Sequence, residues 1–319
     1  MKIAFLSNRI TNRGTEVALY DYAHYNETLL HNTSVVITRD LQKLPYCQDN
    51  STDMFNKVSK RFPVFLYESK ADVDTIIKEE GIDFLYVIKG GSNEGLVSKI
   101  CKTLVHCVFT TYEPHGDIYA CIHDYVNVRC NTKYPVLPHM IHVHETKEDL
   151  RKELGIPANA RVFGTYSGAD AFDIDYVRKA VVDIKDPNIY FLFLGINSFC
   201  QASNVIFLPK SVDLEYKRKF INTCDAMLYG RKDGETFGLS IGEFSMCDKP
   251  VIMRGEAESF SHLITLGDDC VKHMSYTELV TILTNWDTYK KDVTNNGYKL
   301  YTPKTVMAIF NRLIHNSLV

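Results

Sequence analysis

Short apolar runs that end in turn residues recur along the chain and predict buried strands. In chain order they are Lys2–Ser7, Ser34–Thr38, Asp83–Ile88, Cys107–Thr111, Asn188–Gly195, Asn204–Pro209 and Ala226–Tyr229. Runs that are apolar on both faces are typical of parallel strands covered on both sides of a sheet. This pattern predicts an α/β fold.

Stretches with helical periodicity lie between these strands. Glu16–Asn26 carries its apolar and aromatic residues on one helical stripe, and the pattern is helical again over Val212–Cys224. A strand, a loop and a helix at the start of a chain are typical of doubly wound α/β domains.

A proline-marked segment near the middle of the chain predicts a domain boundary. Tyr134–Pro138 is followed by Glu145–Leu154, which has the composition of a charged helix. We therefore expect one domain over residues 1–140 and a second over residues 141–319. The helical stretch from about Tyr276 to the C-terminus is expected to cross back onto the first domain.

The composition argues against a nucleic-acid partner, a disulfide-bonded framework and a membrane-spanning helix. The 319 residues are 45% apolar, which suits two domains of ordinary size, and a net charge of −3 gives no basic field for nucleic acid. Nine cysteines at irregular spacing indicate reduced thiols, and no apolar run approaches the ~20 residues of a membrane helix. We expect a soluble, cytoplasmic protein.

The segment 233–243 joins a glycine-containing turn to an apolar helix. Gly234 and Gly238 permit a tight backbone that points several N–H groups one way. The amides of Phe237, Gly238 and Leu239 would then lie at the positive N-terminus of that helix. Such an arrangement is a seat for phosphate.

Two carboxylates, Glu235 and Glu243, stand at the ends of this segment. Their separation in sequence corresponds to roughly 12 Å along a helix. A glycosidase pair needs about 5 to 9 Å, so these two carboxylates are better suited to different parts of one long ligand. A sugar nucleotide has hydroxyls at each end and a pyrophosphate between them.

The Glu-x7-Glu pattern around Phe-Gly-Leu, followed by Lys-Pro-Val-Ile at 249–252, resembles the donor signature of retaining glycosyltransferases of the GT-B fold, family 4 in particular. The resemblance implies two Rossmann-like doubly wound domains facing across a cleft, with a UDP- or GDP-linked sugar as substrate and no cofactor. It assigns Glu235 to the donor sugar, the turn from Thr236 to Leu239 to the phosphates, and Glu243 to the ribose. The alternative is a glycine turn before a buried helix, with both glutamates solvated.

Three loops in the first half have a functional and a structural interpretation. Gly14, in the loop Asn12–Glu16, falls where the family has a glycine-containing loop near the donor phosphates, or else belongs to an ordinary helix N-cap. Lys89 ends a predicted strand and would bind phosphate, or else is simply solvated. His115, which follows the Cys107–Thr111 run, corresponds in the family to a histidine near the transferred sugar.

One departure from the family concerns cations. Many of its members have an arginine and a lysine after the first strand of the second domain, and Gly164–Asp173 has neither. Arg231 is predicted to replace these cations, and it is preferred to Lys232 because a guanidinium suits phosphate oxygens. The Gly164–Asp173 loop faces sugar or acceptor in one interpretation and caps its helix in the other.

The resemblance implies a metal-independent, retaining glycosyltransferase that moves a sugar from a nucleotide donor to a hydroxyl acceptor, for which a glycan is expected. His115 and Glu235 are the predicted catalytic residues. The histidines of the linker at 139–144 lack the ligand spacing of a zinc site, so no metal is expected. The alternatives are a sugar-nucleotide epimerase-like enzyme and an inactive sugar-nucleotide-binding module.

Overall fold

A computed structural model describes residues 1–40, 52–290 and 297–318. The chain divides into two compact units, each built on its own sheet. The first unit comprises Met1–Met140 together with Tyr301–Val319, and the second comprises Ile141–Leu300. Residues 276–300 thus belong to the second unit, and the chain returns to the first at Tyr301.

Six parallel strands form the sheet of the first unit. They are β1 (Lys2–Ser7), β2 (Thr33–Arg39), β3 (Val64–Tyr67), β4 (Phe84–Lys89), β5 (Lys102–Cys107) and β6 (Ile118–Cys121). Their order across the sheet is β3-β2-β1-β4-β5-β6. The helices that follow in the chain are α1 (Gly14–Thr28), α2 (Thr52–Arg61), α3 (Lys70–Glu79) and α4 (Asp124–Cys130).

The second unit repeats this design. Its strands are β7 (Arg161–Tyr166), β8 (Ile189–Leu194), β9 (Val205–Leu208), β10 (Ala226–Leu228), β11 (Gly234–Glu235), β12 (Val251–Arg254), β13 (Ser259–Phe260) and β14 (Cys270–His273). The six-stranded parallel sheet has the order β14-β12-β10-β7-β8-β9, and β11 pairs separately with β13.

Helices cover this second sheet, and one more belongs to the first unit. They are α5 (Asp175–Asp183), α6 (Leu214–Thr223), α7 (Leu239–Met246), α8 (Ser261–Leu266), α9 (Tyr276–Thr284), α10 (Trp286–Tyr289) and finally α11 (Pro303–Leu318). Within the described residues, no helix is both long and apolar enough to cross a membrane.

Each sheet has one place where the strand order reverses. In the first unit it lies between β1 and β4, and in the second between β7 and β10. Open α/β sheets bind ligands beyond the carboxyl ends of the strands at such switch points. The segment 233–243 follows β10, so it lies at the switch point of its sheet.

Aromatic side chains dominate one side of the core of the first unit. The Phe310 ring of α11 packs on Phe5, Tyr22 and Tyr86, with centroid distances of 6.1, 5.4 and 5.5 Å. All four side chains are buried. The last helix therefore completes the apolar cover of β1 and β4.

The predicted α/β fold with two doubly wound sheets is confirmed, and two local predictions are wrong. The strand expected at Cys107–Thr111 ends at Cys107, because the register with β4 places Lys102–Cys107 in the sheet. The helix expected at Glu145–Leu154 is replaced by turns near its end. There the Arg151 guanidinium donates to the carbonyls of Pro157 and Ala160 (3.3 and 2.7 Å), which favours a folded-back loop.

Candidate functional site

Two glycines shape the turn between β10 and α7. Gly234 has φ of +73°, and a Cβ there would lie 2.0 Å from the carbonyl oxygen of Ser259 on β13. Gly238 is the N-cap of α7 in the left-handed region, with φ of +87°. Side chains rarely adopt these angles, so both positions require glycine. The turn is thereby held in one conformation in front of the helix.

The first turn of α7 has main-chain amides without helical partners. Gly238, Leu239 and Ser240 donate no backbone hydrogen bond to an acceptor in the described parts of the chain, as expected for the first turn of a helix. Tyr298 anchors the preceding residue, because its hydroxyl donates to the Phe237 carbonyl oxygen and its ring meets the Phe237 ring edge-on. The arrangement offers N–H groups and a positive helix end to an anion.

Glu235 lies in the same turn and is already paired. Its Oε1 accepts from Arg231 Nη1 at 3.1 Å and from the Tyr229 hydroxyl at 3.2 Å. Burial raises the pKa of Glu235, and the nearby Arg231 charge offsets this shift only in part. Its backbone is held as well, since Ser261 Oγ donates to the Glu235 carbonyl oxygen at 2.8 Å. The Glu235 carboxylate is thus held in place through its Oε1 and through its own backbone.

Arg231, the cation predicted to bind phosphate, therefore has a protein partner. Its side chain is 36% exposed, so the guanidinium retains access to solvent while it pairs with Glu235. Burial opposes its charge and Glu235 favours it, with the pKa raised on balance. A ligand phosphate would share Arg231 with Glu235, because the fork of a guanidinium carries several donors.

Asp173, in the loop after β7, holds the segment that leads into the glycine turn. Its Oδ1 accepts from the Lys232 amide at 2.7 Å, and its own amide donates to the Gly230 carbonyl at 2.9 Å. Phe172 packs so closely that a Cβ on Gly230 would lie 2.4 Å from its ring. The interpretation of Asp173 as a helix cap is wrong, because Ile174 is the N-cap of α5 and Asp173 holds the Lys232 amide instead. That the Gly164–Asp173 loop faces sugar or acceptor stays a prediction.

Glu243 lies one to two turns along α7, at the end of β7. It accepts a hydrogen bond from the Tyr166 hydroxyl, and burial raises the pKa of that tyrosine well above its usual value. A shallow hollow here is also lined by Lys217 and Arg218 of α6. The Lys217 ammonium lies 5.3 Å from the centre of the Tyr166 ring.

Lys217 and Arg218 were missed by the sequence analysis. Asp213 begins α6 by accepting from the amides of Glu215 and Tyr216 at 2.8 and 3.1 Å, and this cap sets the rotation of the helix. The available signal was the pair of adjacent cations on the first turns of a predicted helix. Nothing in that pattern indicates that they would lie beside Glu243.

In the first unit, Gly14 is the first residue of α1 and has an ordinary helical environment. The buried group beside it is Glu16, whose two oxygens accept from Ser7 Oγ at 3.2 Å and from Thr11 Oγ1 at 2.5 Å. Burial raises the pKa of Glu16 to about 7, and the two hydroxyls offset this shift only in part. The sequence analysis did not single out Glu16, since a glutamate in the first turn is typical of any helix.

Lys89 ends β4 and is buried, with a side chain only 5% exposed. Its Nζ lies 3.5 Å from Glu94 Oε2 and donates a hydrogen bond to no group in the parts of the chain that are described. Burial lowers the pKa of Lys89, and Glu94 opposes that shift. The interpretation of Lys89 as a solvated side chain is therefore wrong.

His115 lies in the loop that leads into β6. Its Nδ1 is 2.6 Å from the Glu113 carbonyl oxygen, and its ring lies against Tyr119. The loop begins near the carboxyl end of β4, where the Glu113 amide donates to Gly91, and ends at Asp117 beside the amino end of β5. His115 therefore lies between the carboxyl end of β4 and the amino end of β5. The sequence had placed it directly after a strand, and this position is wrong.

Comparison with known proteins supports the fold. No protein-family model matches the chain, and no curated protein matches it by sequence. Among solved structures, HepE of Anabaena in complex with UDP-glucose is similar over 99% of this chain and 100% of its own, with a TM-score of 0.74 and 15% identity.

Two further structures are similar over nearly the whole chain. A glycosyltransferase of Rickettsia africae has a TM-score of 0.66 at 11% identity and is covered over 97% of its length, with 99% of this chain. The UDP-GlcNAc 2-epimerase of Methanocaldococcus jannaschii has a TM-score of 0.58 at 12% identity, over 99% of this chain and 100% of the epimerase. At this identity the likeness establishes the fold, and the chain has the GT-B fold of two Rossmann-like α/β domains.

Proposed function

We propose that this protein is a retaining glycosyltransferase that moves a sugar from a nucleotide-linked donor to a hydroxyl of a glycan acceptor. The observation that carries the proposal is the head of α7, where the amides of Gly238, Leu239 and Ser240 lie between two carboxylates, Glu235 and Glu243. The similar Anabaena protein is known in complex with UDP-glucose, which has the diphosphate and the hydroxyls that these groups suit.

In this proposal the donor lies along α7. The α7 amides receive the diphosphate, Glu243 accepts from the ribose hydroxyls in place of Tyr166, and Glu235 accepts from the sugar hydroxyls. Arg231 remains paired with Glu235 and adds a charge-assisted donor for the phosphate nearest the sugar. Lys89, Gly14 and Thr236 stay as predicted ligand contacts, and His115 as the predicted residue that orients the sugar.

The reaction breaks the bond between the anomeric carbon and the phosphate oxygen and forms a bond from that carbon to the acceptor oxygen. The acceptor proton passes to the departing diphosphate, which leaves from the same face that the acceptor enters, so the anomeric configuration is retained. The main energetic contribution is stabilisation of charge on the leaving oxygens by the fixed α7 amides and Arg231. This scheme uses no metal ion.

The primary test is release of nucleoside diphosphate from a panel of UDP- and GDP-linked sugars, with and without glycan acceptors. We expect release that depends on the acceptor, and a product with the anomeric configuration of the donor by NMR. A product of inverted configuration would contradict the retaining mechanism. Binding of every donor without turnover would favour the inactive binding module.

A second candidate function is epimerisation of a sugar nucleotide. The observation that favours it is the similarity to the Methanocaldococcus epimerase over the full length of both chains. An epimerase would convert the donor sugar without acceptor and without a transferase product. Formation of an epimer in the absence of acceptor, detected by NMR, would replace our proposal with this one.

Two variants test the residues directly. Glu243→Ala should weaken donor binding about tenfold to a hundredfold, because a carboxylate that accepts ligand hydroxyls contributes about 1.5–3 kcal/mol. His115→Ala should lower kcat and leave the Kd of the donor unchanged. Glu153→Ala and His315→Ala are matched controls on exposed positions. Unchanged kinetics in both test variants would remove these site assignments.

A further inference from the structure

A buried lysine lies at the switch point of the first unit, between β1 and β4. It is Lys89, the last residue of β4. The side chain is 95% buried, and its Nζ donates to no group among the residues that the structure describes. A buried ammonium without hydrogen bonds is costly, which makes such a group at a binding edge a candidate for an anionic ligand.

Glu94 forms an ion pair with Lys89 but accepts no hydrogen bond from it. Its Oε2 lies 3.5 Å from Lys89 Nζ and accepts from Asn8 Nδ2 at 2.8 Å. Glu94 is about half exposed, so solvent competes for its charge. Asn8 is held in turn, because its Oδ1 accepts from the Tyr67 hydroxyl at 2.8 Å. The Lys89 ammonium therefore keeps its hydrogen-bond donors for a ligand beside this ion pair.

Two further cations lie near this ion pair. Lys70 lies within electrostatic reach of Lys89, and Arg39, at the end of β2, within reach of Glu94. Both are exposed at the same edge of the sheet. The carboxylate of Glu113 also lies near Lys89. A bound anion would accept the hydrogen bonds that the buried Lys89 ammonium lacks, with Lys70 in the same neighbourhood.

We propose that Lys89 binds an anionic group of the acceptor, in place of the donor phosphate that the sequence predicts for it, so that the acceptor is a hydroxylated molecule bearing a carboxylate or a phosphate. The inference rests on the proposed function, because it takes the α7 amides as the seat of the donor diphosphate. A second anion seat, in the other unit, then serves the other substrate. Asn8 and Glu94 lie beside Lys89 and supply an amide and a carboxylate for hydroxyls next to the anionic group.

The test is titration calorimetry of the full chain with four probes: glucuronate, glucose 6-phosphate, the neutral methyl glucoside and UDP. We expect the wild-type chain to bind glucuronate or glucose 6-phosphate and not the methyl glucoside, and the stronger of the two identifies carboxylate or phosphate. In Lys89→Met the affinity for that probe should fall about tenfold to a hundredfold, as for loss of one charge-assisted hydrogen bond. The affinity for UDP should be unchanged.

Lys99→Met removes the same charge from an exposed position of the same unit and should leave all four affinities unchanged. Lys89→Arg should restore part of the binding of the anionic probe, and circular dichroism verifies that each variant is folded. The inference is overturned if neither anionic probe binds the wild-type chain, or if Lys89→Met binds it normally.

Loss of UDP binding in folded Lys89→Met would also overturn it, since Lys89 would then belong to the donor site. Absence of UDP binding to the wild-type chain would instead overturn the proposed function and, with it, the acceptor role of Lys89. The failure of the inference and the failure of the proposed function are therefore distinguishable.

Discussion

The carboxyl ends of β1 and β4 in the first unit and those of β7 and β10 in the second are topologically equivalent, because the strand order reverses at both. In the second unit, the main-chain amides of the first turn of α7 lie at this edge, and the carboxylate of the preceding turn, Glu235, is paired with Arg231 at 3.1 Å. In the first unit, the groups at the edge are the side chains of Glu16 and Lys89. Both are buried: Glu16 accepts from two hydroxyls, and Lys89 forms an ion pair with Glu94 at 3.5 Å without a hydrogen bond.

The same strand order therefore allows two kinds of polar group at the carboxyl ends of the strands: main-chain amides in one unit and buried side chains in the other. The amides of the second unit do not titrate themselves, and their geometry depends on glycines that admit close backbone approach. An edge made of buried ionisable side chains depends on pH, because burial moves their pKa values towards neutrality. We therefore expect substitutions of glycine to have the largest effects in the second unit, and substitutions of charge to act through pH in the first.

The largest effect is expected for Gly234→Ala. The new Cβ would lie 2.0 Å from the Ser259 carbonyl oxygen at a φ of +73°, so β11 and β13 would have to separate. We expect a loss of about 4 kcal/mol in the free energy of unfolding, in the range of severe backbone and packing changes. Denaturant unfolding measures it, and donor titration should show loss of binding.

Gly267→Ala is the matched control for that variant. Gly267 also has a positive φ, of +58°, but a Cβ there meets no atom within 4 Å. Gly267→Ala should cost about 1–3 kcal/mol in the free energy of unfolding, from the backbone conformation alone. Equal costs for the two variants would show that the close approach of β13 has no role in the second unit.

Glu16→Gln tests the first unit. The pKa of Glu16 is raised from 4.5 to about 7, so the folded chain holds a proton that the unfolded chain releases, and stability is lost as pH rises from 4.5 through 7. Glutamine is permanently neutral. The variant should therefore gain stability over the wild-type chain at pH 8, by up to about 3 kcal/mol from a shift of this size, and little at pH 4.5.

The measurement is denaturant unfolding of both chains at several pH values between 4.5 and 8. Glu153→Gln, on an exposed position, is a suitable comparison because its carboxylate lies in solvent. A stability difference between wild type and Glu16→Gln that does not change with pH would contradict the assignment of Glu16 as a buried titrating group.

His262 gives the opposite pH dependence in the second unit. Burial lowers its pKa from 6.5 to about 4, so the unfolded chain binds a proton that the folded chain does not, and stability falls as pH drops from 6.5 to 4. The full loss is on the order of 2–3 kcal/mol. His262→Asn keeps an acceptor near the Glu235 amide. In this variant the fall in the free energy of unfolding between pH 6.5 and 4 should be smaller by this amount. Equal slopes of stability against pH in the two chains would rule out this role.

The smallest effect is expected for Lys89→Met in the absence of ligand. Methionine has a similar length and removes a buried charge that lacks a hydrogen bond, so stability should be unchanged or higher by up to about 1 kcal/mol. Lys99→Met, on an exposed position, should change nothing. A loss of more than about 1 kcal/mol in Lys89→Met would mean that Glu94 pairs with the ammonium more effectively than the distance of 3.5 Å indicates.

Several features of the fold were predictable from local pattern alone. The run Lys2–Ser7 is β1 to the residue, and Val212–Cys224 contains α6 within two residues at each end. The strand at Cys107–Thr111 was misplaced because Lys102–Cys107 has a polar first residue and an internal histidine. That histidine, His106, pairs with the Tyr86 hydroxyl at 2.6 Å across the β4–β5 ladder, which local pattern does not reveal.

The amino-acid sequence alone indicates the α/β class and several of the strands and helices, and it contains the two glycines of the 233–243 turn and the spacing of Glu235 and Glu243. These depend on periodicity and backbone conformation, which act over a few residues. The tertiary structure alone decided that Arg231 pairs with Glu235, that Lys217 and Arg218 lie beside Glu243, and that Lys89 is buried. Burial and charge pairing depend on which distant segments approach one another, and the folded sheets determine that approach.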